Sequence, residues 1–66
     1  MNDTDVKRIE VLSYIQQMLG ELRWMAHSAD CPMLTYFIEM AYIESEDTIR
    51  TVRETHSNGH KRDGAA

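Results

Sequence analysis

Sixty-six residues, a formal charge of −4, one cysteine and one proline set narrow limits on this chain. It lies far below the usual domain size, which excludes a second domain or an elaborate enzyme fold, and a chain this short buries only about 60% of its surface. A lone Cys31 permits no internal disulfide, so support has to come from a partner, most economically another copy of the same chain.

In chain order, the first expected element is a helix over about residues 4–28. Asn2 to Thr4 is a cluster of capping side chains, and Asp5 and Glu10 suit the positive end of a helix dipole. Ser28-Ala29-Asp30-Cys31 then interrupts an otherwise helix-favouring sequence. Pro32 pushes Cys31 out of helical dihedrals and is itself well placed in a first turn, so Asp30 or Cys31 caps a second helix. That helix is expected over about 32–56, stopping before Ser57-Asn58-Gly59, where Asn58 or Gly59 can take the left-handed cap conformation. Equal lengths around a tight loop predict an all-α antiparallel helical hairpin over 1–56, followed by a polar, disordered tail over 57–66. The acidity belongs to the hairpin. Residues 1–56 hold 5 basic and 10 acidic side chains, and the tail holds Lys61, Arg62 and Asp63. No apolar run reaches the length of a signal peptide's hydrophobic segment or a membrane span, so a soluble cytoplasmic protein with no membrane partner is expected.

Leu12, Ile15, Leu19, Leu22, Ala26 and Ala29 recur at steps of three and four, as do Leu34, Ile38, Ala41, Ser45, Thr48 and Val52. A turn near residue 30 opposes positions whose numbers sum to about 60, so these stripes set large side chains against small ones as the seam within the chain. A second apolar set remains: Val11, Tyr14, Met18 and Met25 on the first helix, and Met33, Tyr36, Phe37, Met40 and Ile43 on the second. Both are displaced in the same rotational sense, which puts them on one side of an antiparallel hairpin. A broad apolar face on a small protein marks an interface, and its simplest closure is a homodimer forming a four-helix bundle. Ile9 and Ile49 are expected to form a minor cluster on the hairpin's other side. Trp24 falls outside both faces, which makes it a candidate contact for an external partner unless it lies flat over a neighbour such as Gly20.

Chemical motifs are sparse. His27 and Cys31, with His56 and His60, are ligand types zinc prefers, but one hairpin puts the first pair at the loop and the second at the free end. Cys31 at a helix start could carry an activated thiol, yet no base or orienting partner accompanies it, and an inert thiol is expected. Glu39, Glu44, Glu46 and Asp47 lack the Glu-x-x-His pairs of a carboxylate di-metal bundle and read as a solvated flank. No cofactor motif is present, so neither a cofactor nor an active site is expected. Net negative charge with no basic stripe argues against nucleic acid, for which Lys7, Arg8 and Arg23 would be the only cations on the first helix.

The general plan, a short acidic hairpin dimerising as a four-helix bundle with a polar tail, resembles the Rop family of small RNA-binding proteins. No motif matches residue by residue, so the resemblance implies an RNA-binding regulator without assigning binding residues. The run from Ala29 to Leu34, continued by Tyr36-Phe37-Ile38-Glu39-Met40-Ala41, is similar to a YLIEMA-like segment of short bacterial proteins of unassigned function, implying a bacterial source. The reading taken is a small dimeric interaction, regulatory or adaptor module without catalytic activity. The alternatives are a Rop-like RNA-binding regulator and, after it, a metal-binding or thiol-based sensor.

Overall fold

The computed structural model describes residues 2–65, with side chains described for 2–55. It is an antiparallel hairpin of two helices, α1 (Asp3–Ser28) and α2 (Pro32–Ala65), with no strand among the described residues. Asn2 starts α1 from extended dihedrals, its Oδ1 accepting the Asp5 backbone N–H at 2.8 Å, while Asp3 and Asp5 occupy the first turn. This satisfies one of the free N–H groups that every helix start exposes.

The turn has a specific cause. Asp30 sits at φ 61, the left-handed region, where a short polar side chain is tolerated better than most. Its N–H donates to the His27 carbonyl at 3.0 Å and the Cys31 N–H donates to the Ala26 carbonyl at 3.1 Å, the paired bonds of a Schellman ending. The Cys31 carbonyl then accepts both the Thr35 backbone N–H at 2.9 Å and the Thr35 hydroxyl at 2.8 Å. Cys31 is thus the cap of α2, with Pro32 in its first turn, as the proline position predicted.

The backbone of α2 stays helical past Ser57-Asn58-Gly59 to Ala65, where a stop was expected. No residue from 57 to 65 is proline, so all can take helical dihedrals, and each of the two glycines, Gly59 and Gly64, costs only about 1 kcal/mol. The side chains of 56–66 lie outside the described residues, and so does the expected disorder of the tail.

The seam is rotated from the expected one. Ile9, Ile49 and Val52, with Leu12 packed against them, form the buried cluster towards the open end of the hairpin, and Ala26 closes the loop end. Ile9 and Ile49, expected as a minor cluster, are therefore the core. Ile15 and Leu22, expected inside, are 41% exposed, Leu34 is 52% exposed, and Ala29 and Ala41 are exposed. The cause lies mid-hairpin. A Cβ built on Gly20 would stand 3.4 Å from Cε2 of Tyr42, so the absent side chain leaves room for the tyrosine ring in the seam. Tyr42 fills the place assigned to Ala41, and the Ile15, Leu22 and Leu34 stripe turns outward. Next to it Ser45 is buried, its hydroxyl donating to the Tyr42 carbonyl at 2.7 Å. That bond meets the hydrogen-bonding demand of a buried hydroxyl.

Candidate interaction face

The hairpin measures 45 × 28 × 10 Å between Cα extremes, a single layer of helix. Stable domains need two packed layers, because a helix buries one stripe against another element. Among the described residues, the seam buries four apolar side chains, and no large side chain is fully enclosed. By contrast, 13 large apolar side chains among the described residues are exposed. At about 100° per residue, nine of these fall on one side of the hairpin, whereas Val6 and Trp24 on α1 and Tyr36 and Ile43 on α2 do not.

Each element carries a second helical stripe outside the seam. On α1, Val11, Ile15, Met18, Leu22 and Met25 recur at steps of four and three; on α2, Met33, Tyr36, Met40 and Ile43 do the same. An average period of about 3.5 is that of helices packing knob into hole with a left-handed supercoil. Tyr14 stands on the outer flank of the α1 stripe. Phe37 and Leu34 occupy the inner flank of the α2 stripe, and the Tyr36 and Phe37 rings are tilted against each other with centroids 5.8 Å apart. Of the nine residues expected to form the interface, all are exposed except Met18, which is half-buried. Ile15, Leu22 and Leu34 join them. Sequence reasoning had placed these three in the seam, although the four-three spacing through Ile15 and Leu22 was already present to be read.

The face changes character along its length. Near the loop it is apolar, and Pro32, Met33 and Tyr36 line a shallow hollow. Towards the open end α1 passes to Thr4, Lys7 and Arg8, which with Val11 and Leu12 line a groove. On the α2 side Glu44 follows Ile43, its Oε2 accepting the Thr48 hydroxyl at 3.3 Å, and Asp47 pairs with Arg50 at 3.1 Å.

The other candidates are scattered. Trp24 is 66% exposed, outside both the seam and the apolar face, and stacks on His27 with centroids 5.9 Å apart and planes 7° from parallel. It does not lie over Gly20, which belongs to Tyr42. Exposed Cys31 donates its thiol to the Ala29 carbonyl at 3.6 Å and shares a small pocket with His27, Asp30, Pro32 and Thr35. The side chains of His56 and His60 lie outside the described residues, and among the described residues no group of three His, Cys, Asp or Glu could hold a metal ion. Lys7 and Arg8 are neighbours, but Arg23 stands about 23 Å further along α1 at 1.5 Å per residue, so the three cations do not make one patch. Among the described residues, no helix is long and apolar enough to cross a membrane.

Comparison with known proteins finds no matching family model, no matching curated protein and no matching solved structure.

Proposed function

We propose that this chain is a non-catalytic helical interaction module that homodimerises into a four-helix bundle and acts, as a small regulator or adaptor, by binding another macromolecule. The observation that carries the reading is the one-layer hairpin whose large apolar side chains stand mostly exposed outside its seam. The nine on one side, at roughly 100 Å² each, offer about 900 Å² per chain, or about 1,800 Å² for a symmetric pair. A standard stable interface buries about 1,600 Å² in total, so the face alone is large enough to hold a dimer. Its coiled-coil period suits another helix layer of the same kind, and a second copy supplies that layer without a further gene product.

Dimerisation uses the apolar face and leaves Trp24 on the outside. An exposed aromatic ring, held by its stack on His27, suits the anchor of a further protein contact. Sedimentation equilibrium tests the architectural half: twice the chain mass at micromolar concentration is expected, and a folded monomer under those conditions overturns it.

A further inference from the structure

We propose that the side of the hairpin turned away from the apolar face binds a cationic, arginine-bearing segment of another protein, received on the Trp24 ring and on the carboxylates of Glu39 and Glu46. This rests on the reading of Trp24 as a protein contact and names the chemistry of its partner.

Level and direction place these residues together. Gly20 lies against Tyr42, which sets Trp24 level with Ile38, so Glu39 stands only about 1.5 Å further along on the neighbouring helix. Both are turned roughly 100° from the seam in the same rotational sense, which brings them to one side of an antiparallel pair whose axes lie about 8–10 Å apart. Glu46 repeats the direction of Glu39 two turns later, and Glu21 sits one turn before Trp24 at the outer edge. All four residues are exposed. Among the described residues none of the three carboxylates has an ion pair. The arginines do not cancel them: Arg23 lies alone on the seam line at this level, Arg50 is bridged to Asp47, and Arg53 stands two turns beyond Glu46.

This surface selects its partner by charge. The stack on His27 fixes the indole ring, and 66% of the residue is in water. A guanidinium laid over an indole is drawn to the negative face of the ring, and carboxylates beside it accept its forked N–H groups; an acidic segment or a nucleic acid is repelled. Tyr36 and Ile43 border the surface on α2, so apolar side chains between the arginines have somewhere to lie. Dimerisation through the apolar face leaves this side open on both copies.

Trp24 is the one tryptophan of the chain, so its emission reports on this surface directly. The full chain is titrated with a short capped peptide alternating arginine and leucine, and with the same peptide carrying glutamine for each arginine. The arginine peptide should change the emission saturably, and its binding should weaken as salt is raised. Glu39→Gln together with Glu46→Gln should weaken that binding about three- to tenfold, whereas Glu54→Gln at the open end should leave it unchanged. Equal binding of the glutamine peptide, or unaltered binding by the double variant, overturns the cationic partner and leaves Trp24 as an apolar contact. No emission change with the arginine peptide also overturns the inference, while sedimentation decides the homodimer separately.

Discussion

Two apolar stripes run along the hairpin, one facing inward between α1 and α2 and one facing outward beside it. The inner stripe is the smaller. It buries Ile9, Ala26, Ile49 and Val52 with a buried serine among them, while the outer stripe carries aromatic rings and four of the five methionines. On the homodimer reading proposed above, a chain with more apolar surface outside its seam than within it is organised for assembly first, and covering that surface supplies most of the free energy that holds the helices in water. Methionine suits the outer role, because an unbranched, polarisable side chain adapts to the irregular surface of an opposing layer.

The largest expected effect comes from breaking the outer stripe. Leu22→Glu puts a carboxylate in the middle of the face, replacing about 2 kcal/mol of apolar burial per chain with the cost of desolvating a charge, and does so twice per dimer. Sedimentation should show loss of the dimer, and far-ultraviolet circular dichroism should show loss of most helix at micromolar concentration. Retained dimer and retained helicity would mean that the face is solvent-exposed in solution and that the seam is sufficient by itself.

Ile49→Ala probes the inner stripe. Removing a buried isoleucine side chain down to its Cβ costs about 2–5 kcal/mol, here from a cluster of only three buried residues. The thermal midpoint should fall while the surviving folded species remains dimeric at saturating concentration. A change in stoichiometry with no change in midpoint would reverse the roles assigned to the two stripes.

These two regions were not equally legible. The helices and turn could be read because their determinants are local: Asn2 can cap, Pro32 must sit in a first turn, and Asp30 is a residue type that tolerates the left-handed region. Of the outer residues, what was readable is that they stay out of the seam: eight of the nine are exposed and Met18 is half-buried. The seam was readable in part: Ala26, Ser45 and Val52 are buried as expected, but two interleaved stripes, one through Leu12, Leu19 and Ala26 and the other through Ile15 and Leu22, differ by a rotation too small for periodicity to separate. What decides between them is a contact between helices, Tyr42 against Gly20, and a glycine in a helix signals a close approach without naming the residue that approaches. Trp24 stood apart from both stripes in sequence as it does in the structure.

That glycine provides a finer test of the seam. Gly20→Ala gains up to about 1 kcal/mol in helix propensity, and its new Cβ would meet the edge of the Tyr42 ring at 3.4 Å, which is close to ordinary contact. A rise in the thermal midpoint equivalent to about 0.5 kcal/mol is expected, the ring giving slightly. Gly20→Val should instead lower it by about 1–3 kcal/mol, because the added methyl groups must displace Tyr42 from the seam. If both variants behave alike, Tyr42 does not occupy the seam in solution and the explanation for the rotated stripe fails.

The smallest expected effect on stability, and the one that separates assembly from recognition, belongs to Trp24. Most of the ring is in water, and it stacks on His27, so Trp24→Ala should change the thermal midpoint by less than about 0.5 kcal/mol and leave the sedimentation profile unaltered. If recognition runs through this ring, the same variant should no longer capture a partner that the unaltered dimer retains on an affinity column. A large loss of stability would place Trp24 in the bundle's own packing, on a surface the hairpin leaves open, and unaltered capture would move recognition to another part of the outer surface. Either result would redraw the division between inner stripe, outer stripe and free surface, because Trp24 is the large aromatic side chain that neither stripe accounts for.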